Sequence, residues 1–394
     1  MSAPRCLLLG AGRLAGGYIA PLLAEAGWET VFVCRNREVM RAVNEAGGLW
    51  LRMVGEPEDR WIGGISAVAQ EDERLPELAD GADLIATAVG PSSLPDAGRT
   101  LAPLLIHRLR SSGAPVNVVT FENSRRGPEL LAIGMVEEEP ALAGEIGRRI
   151  GLGGAAAWRA VSGRKIMAEG VRFDANRESE CYVGIASLVR GLSPLDGSVP
   201  GLTLVRSFDD RIREKLWLFN AGHAAAAYLG WHVGCETLDV SMSRPHIRSL
   251  VEDVVEEASR AFEMYLHSRP GSEPIPPRSP ETVIDLYSDP ALRDPVVRVG
   301  REPRRKLGHD DRLVGPAVAA MAAGFRPVAL AEAAAAALCY GEPTDPQAPD
   351  LQREIRLLGP EEVLATLGTL DIRDELTRLI CARYRVRTAG EAAG

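Results

Sequence analysis

The most constraining feature of this chain lies close to its start. The apolar run Cys6-Leu9 passes into Gly10, Ala11, Gly12, Arg13, Leu14 and Ala15, and then into the amphipathic stretch LAGGYIAPLLAEAG. In a GxGxxA turn the first glycine permits the sharp bend and the second lets the backbone approach a pyrophosphate. The small third residue lets the helix pack closely on the sheet, and the helix N-terminus then faces the anion. A bare glycine-rich turn is a weak signal. Here a strand precedes it, a helix follows, and a second strand, Thr30-Cys34, ends about 20 residues later, as a dinucleotide-binding unit requires.

An acidic residue at the end of that second strand would hold the ribose diol of NAD. The sequence instead reads VFVCRNRE, with Cys34 at that place and Arg35 and Arg37 after it. Guanidinium forks suit a 2′-phosphate, so the reading favours NADP, with NAD open. The alternative is that both arginines are solvated loop charges.

Further strand candidates at Leu84-Val89 and Val116-Phe121 alternate with helical stretches such as Ala97-Arg110, which predicts an α/β fold with a doubly wound parallel sheet of Rossmann type. From about Phe208 the pattern turns helical, over Arg211-Leu229, Ser249-Tyr265, Val328-Tyr340, Gln347-Leu358 and Ile372-Tyr384. A chain of 394 residues exceeds what one core usually organises. The Pro- and Gly-containing segment Leu192-Gly201 is read as the connection, dividing the chain into a dinucleotide-binding domain, 1-200, and a mostly α-helical catalytic domain, 201-394. Ser268-Pro280 reads as a loop, and the residues beyond Thr388 as a frayed tail.

A net charge of -9 disfavours nucleic acid as a partner. The six cysteines form no CxxC pair, so neither a disulfide framework nor a zinc site is expected. No signal-peptide pattern and no run of 18 apolar residues is present. The expectation is a cytoplasmic protein that needs no metal and no membrane.

In REKLWLFNAGHAAAAYLG, one predicted helix carries Lys215, Asn220 and His223. At about 100° per residue, Asn220 lies ~140° and His223 ~80° around from Lys215, so the three share a face. A desolvated lysine can exchange the proton of an alcohol as its hydride departs, while Asn220 and His223 can donate to the oxygen. The competing reading is a solvated lysine and a core histidine.

KLWLFNAGH resembles the K-x4-N-x2-H motif of the long-chain mannitol dehydrogenase family. Further matches occur in order along the chain: TAVGP (Thr87-Pro91), FENSRRG (Phe121-Gly127), VRVGREPRRKLGHDDRL (Val297-Leu313) and DPQAPDLQ (Asp345-Gln352). The resemblance implies a monomeric, metal-independent oxidoreductase moving a hydride between NAD(P) and a polyol or polyol phosphate, with mannitol 1-phosphate and fructose 6-phosphate as the leading pair. It gives Lys215 the acid/base role, with Asn220, His223 and Asn123 polarising the oxygen, and places Ala88, Val89 and Gly90 at the cofactor. It puts Arg298 and Lys306 on substrate hydroxyls. The neighbouring Arg301, Arg304 and Arg305 could hold a phosphate or pair with nearby carboxylates.

One segment departs from the family. Where relatives carry V-D-R-I-x-P, this chain reads AVSGRKIMAEG, Ala160-Gly170. That change leaves room for another sugar, sugar acid or cyclitol as substrate. A dinucleotide-binding regulator without catalysis is the reading from another class, and retention of Lys215, Asn220 and His223 argues against it.

Overall fold

Leu, Val and Ile runs buried on both faces build a central sheet, because only strands covered by helices on each side can read as continuous apolar sequence. The computed structural model describes residues 3-271, 274-276 and 278-391. Contacts divide it into two units, Met1-Ile212 and Arg213-Gly394.

The strands of the first unit are β1 (Arg5-Leu9), β2 (Glu29-Cys34), β3 (Gly48-Met53), β4 (Arg60-Gly63), β5 (Ile65-Ala69), β6 (Leu84-Thr87), β7 (Val116-Thr120), β8 (Ile150-Ala157), β9 (Val161-Met167), β10 (Gly170-Ala175), β11 (Cys181-Gly184) and β12 (Thr203-Val205). Eight form one sheet in the order β12-β11-β8-β7-β6-β1-β2-β5. Every neighbouring pair is parallel except β8 with β11. Its helices are α1 (Ala20-Glu25), α2 (Arg37-Ala46), α3 (Leu75-Asp80), α4 (Leu94-Ser111) and α5 (Gly127-Glu138). Alternation along β1 sends Leu7 and Leu9 into one core with Leu101, Leu105 and Leu131, and Cys6 and Leu8 into another with Leu23, Phe32 and Phe173. The expected doubly wound sheet is therefore present.

A second sheet, β4-β3-β10-β9, has no counterpart among the strands expected from sequence. Its inner face packs against the segment just beyond the glycine turn. A Cβ on Gly16 would lie 2.2 Å from the Phe173 ring, and one on Gly17 2.5 Å from Val161, so two glycines there permit the close approach.

The expected domain connection, Leu192-Gly201, instead finishes the first unit. Asn117 in the central sheet donates to the carbonyls of Val189 and Ser193, Trp28 donates to Ser198, and β12 comes next. These hydrogen bonds tie the segment to the first unit, and the division falls beyond residue 200, at Ile212.

α6 (Phe208-Trp217) ends in the second unit, whose remaining helices are α7 (Phe219-His232), α8 (Leu238-Met242), α9 (Pro245-His267), α10 (Pro280-Ser288), α11 (Val296-Gly300), α12 (Pro303-Lys306), α13 (Val314-Ala322), α14 (Val328-Leu338), α15 (Ala348-Leu358), α16 (Pro360-Gly368) and α17 (Glu375-Glu391). α7 and α14 are buried nearly all round. Their alanines and glycines let neighbours approach, and the Glu257 carboxylate of α9 caps α14 by accepting from the amides of Ala329 and Leu330.

Two expectations change here. The single helix predicted over Arg211-Leu229 is two, separated at Leu218, so Lys215 belongs to α6 and Asn220 and His223 to α7. The separation lets the buried Trp217 meet Phe262 and Tyr265 while Phe219 meets His223 and Tyr287. The tail beyond Thr388 continues α17 to Glu391, and residues 392-394 lie outside the described residues, as do 272, 273 and 277 of the expected loop Ser268-Pro280. Among the described residues no helix is long and apolar enough to cross a membrane.

Candidate active site

The first unit opens a cleft of about 260 Å³ beside the glycine turn, lined by Gly10, Ala11, Gly12, Cys34, Arg35, Asn36, Gln70, Ala88, Val89, Asp96, Thr100 and Arg164, among others. Gly10 has φ +102°, and a Cβ there would lie 2.6 Å from the Ala88 carbonyl oxygen, so no other residue suits that turn. A Cβ on Gly12 would meet protein only at 3.8 Å; the open side of that position is where a pyrophosphate would need the room. Ala15 is fully buried, as the small third position of the motif requires. The cleft's residues thus fit a dinucleotide.

Arg37 and Gly90 are absent from this lining. Arg37 is drawn into the first turn of α2, whose N-cap Asn36 accepts from the amides of Glu38 and Val39. Arg13 and Leu14 directly follow the glycine turn but lie outside the lining. Arg164, which the sequence did not single out, is in it.

Glu122 was also missed. It is buried between the ends of β6 and β7, where it accepts from Thr87 Oγ1 at 2.8 Å and from the Val89 amide at 2.9 Å. Burial pushes its carboxyl up, against those donors. It pins the Ala88-Gly90 loop from below, while Asn123, next in the chain, is partly exposed. Its only signal in the sequence is its place within FENS.

In the second unit Lys215 and Asn220 are buried, at 4% and 3% exposure. Asn220 Nδ2 has no hydrogen-bond partner among the described residues, and an unsatisfied buried donor needs an explanation. One turn on, His223 Nε2 lies 3.3 Å from Asp294 Oδ2, close but too poorly aligned for a good hydrogen bond. Burial holds the imidazole below its ordinary pKa, opposed by Asp294 and reinforced by Arg298 and Lys306. Asp294 also receives both arms of Arg298. Burial raises that carboxyl, but His223 and Arg298 outweigh it and hold it low. Asp294 is thus the hub that joins α7 to Arg298. Its spacing of four residues before Arg298 is the signal that could have found it.

The basic segment separates into distinct roles. Lys306 is buried, donates to the Val299 carbonyl and lies 5.3 Å from the Tyr228 ring centroid; burial, then Arg312 and Arg305, push its amine well below its ordinary pKa. Arg304 pairs with Glu354, and Arg305 with Glu302 and Asp311, so the carboxylate-pairing alternative describes both. Arg301 is exposed. Glu302 has the left-handed φ of +59°, a conformation costly for a residue with a Cβ. Asp345 holds it there by accepting from the Glu302 amide at 3.1 Å, while also accepting from the amides of Gln347 and Ala348. Among the described residues no group of three or more His, Cys, Asp or Glu is placed to hold a metal.

Known proteins agree with this architecture. The family profile described as the mannitol dehydrogenase Rossmann domain matches residues 4-145, and that of the mannitol dehydrogenase C-terminal domain matches residues 206-374. The chain is 32% identical over 391 residues to mannitol-1-phosphate 5-dehydrogenase of Geobacillus thermodenitrificans, covering 97% of this chain and 98% of that one. It is 31% identical over 363 residues to the protein of the same name from Brevibacillus brevis, covering 90% and 91%. Mannitol 2-dehydrogenase of Pseudomonas fluorescens, solved with NAD and D-mannitol, superposes with a TM-score of 0.78 over 100% of this chain and 93% of that one, at 16% identity, a likeness of fold. The glycine turn, the helical second unit and these matches make the chain a polyol dehydrogenase that belongs to the mannitol dehydrogenase family.

Proposed function

We propose that the enzyme, as a monomer, interconverts a hexitol phosphate and its ketose, with mannitol 1-phosphate and fructose 6-phosphate as the pair, and that it favours NADP(H) over NAD(H). The set Lys215, Asn220 and His223, the first two buried and the third partly so, carries this reading, and the names of its relatives supply the phosphate. The dinucleotide, when bound, takes up or returns the hydride. In the oxidation the neutral Lys215 amine accepts the hydroxyl proton as the C–H bond breaks, and in the reduction the ammonium gives it back. Asn220 Nδ2 donates to the reacting oxygen, which satisfies its own buried N–H as charge develops there. His223, oriented by Asp294, donates a second hydrogen bond, and Arg298 and Lys306 engage hydroxyls further along the substrate. Arg35 at the end of β2 prefers the 2′-phosphorylated cofactor. Arg301, the exposed arginine of the basic segment, receives the substrate phosphate.

The test is a dehydrogenase assay with mannitol 1-phosphate, fructose 6-phosphate and their unphosphorylated and cyclitol counterparts, each with NADP(H) and NAD(H). Turnover of the hexitol phosphate is expected, with a fall of roughly 10²- to 10⁴-fold in kcat for Lys215→Ala. Unchanged turnover in Lys215→Ala would remove the acid/base assignment, and activity confined to unphosphorylated polyols would remove the phosphate.

A further inference from the structure

The segment Ala160-Gly170 contains β9, and β9 is irregular. Gly163 pairs with Asp174, but Val161 pairs with Ala175, so Ser162 is an extra residue opposite a single step of β10. Side chains alternate along a regular strand, which would put Val161 and Arg164 on opposite faces. A bulge inserts one residue, shifts the phase and re-aims the side chains beyond it. Arg164 pairs with Phe173 and Val161 with Ala175, two positions of β10 that share a face, so both point the same way. That face packs on the segment just beyond the glycine turn, through Phe173 on Gly16 and Val161 on Gly17.

The bulge therefore delivers a guanidinium to the cofactor cleft. Arg164 Nη1 lies 3.4 Å from the Ala11 carbonyl, a long hydrogen bond, and the side chain lines the same cleft as Cys34 and Arg35. Its charge is felt at the Cys34 thiol, at the position where an NAD-type site would carry an acid. Arginines on the opposite face of the small sheet are paired with carboxylates: Arg52 with Asp59, and Arg172 with Asp59 and Asp174. Among the described residues neither Arg35 nor Arg164 has an ion pair, and the carboxylate in the lining, Asp96, is held by Arg99. Arg35 and Arg164 thus line one cleft together with Cys34, where the adenosine ribose of a dinucleotide would lie.

We infer that Arg164 is a specificity-determining residue for the cofactor, forming with Arg35 a two-armed clamp on the 2′-phosphate of NADP(H). This rests on the reading of the cleft as an NADP(H) site, and supplies the second arm from outside the β2 turn.

The test is direct binding of NADPH, NADH, 2′,5′-ADP and 5′-AMP to the wild type, Arg164→Ala and Arg35→Ala, by calorimetry or nucleotide fluorescence. Arg164 is exposed, so the variant should fold, and circular dichroism checks that it does. A lost charge-assisted hydrogen bond corresponds to roughly a tenfold to hundredfold loss in affinity. That loss is expected for NADPH and 2′,5′-ADP in Arg164→Ala, with less than about a twofold change for NADH and 5′-AMP. An equal loss for NADPH and NADH would assign Arg164 to the pyrophosphate and overturn the inference, as would no loss at all. If Arg35→Ala alone loses the preference, Arg164 fails while the NADP reading stands. If the wild type binds NADH as tightly as NADPH, that reading fails first.

Discussion

At the scale of residues, the second unit depends on one buried carboxylate. Asp294 faces His223 and Arg298 together, and the imidazole beside it is held below its ordinary pKa by burial. His223 is accordingly neutral at neutral pH, and one of its nitrogens carries a proton to donate. Histidine NMR should place its pKa below the ordinary 6.5, and Asp294→Asn should lower it further, because Asp294 is what favours the imidazolium. A rise in that variant would contradict the assignment. Stability changes with pH in a definite direction. With a depressed folded pKa, the unfolded chain takes up the proton first, so this contribution is complete above the unfolded value and declines as pH falls toward the folded one. Asp294, also depressed, acts in the same direction at lower pH. Lys215, Asn220 and His223 could be proposed from the sequence because they lie within one short motif. Asp294 and Glu122 were not, since each acquires its role from partners brought by other elements.

At the scale of elements, short segments with unfavourable backbones are held by single polar side chains. The join between α11 and α12 carries the left-handed Glu302, and Asp345 ties it to the start of α15. Asp345→Ala removes three accepted hydrogen bonds, including those at the N-terminus of α15. The expected cost is roughly 1–2 kcal/mol, or a fall of about 2–8 °C in unfolding temperature. Because Arg298 and Lys306, the proposed substrate contacts, flank that join, KM for the polyol should rise more than kcat falls. Calorimetry and steady-state kinetics check both, and a variant with wild-type KM would separate Asp345 from the substrate segment. Strands with β-branched alternation, such as β2, were readable in advance. β8, reading IGLGGAAA, was not, since its strand character comes from being enclosed on both faces rather than from its residues.

At the scale of the whole molecule, the first unit holds the cofactor cleft, and a ligand bound there should register in the unfolding of that unit. Dinucleotide at a hundred times its Kd should stabilise the unit that binds it by about 2.7 kcal/mol, read as an upward shift of that unit's transition in scanning calorimetry. No shift with either NADPH or NADH would remove the cofactor cleft from the first unit. The sequence by itself determined the glycine turn, the alternation of strands and helices beyond it and the helical second half, and it supplied the motif proposed to be catalytic. All of these depend on neighbours close in sequence, through periodicity, turn chemistry and short spacing. Only the tertiary structure decided that Leu192-Gly201 closes the first unit, that a bulge aims Arg164 at the cofactor cleft, and that Asp294 gathers His223 and Arg298. Those outcomes depend on which distant backbone lies alongside, and a strand's phase or a buried charge's partner exists only once the chain has packed.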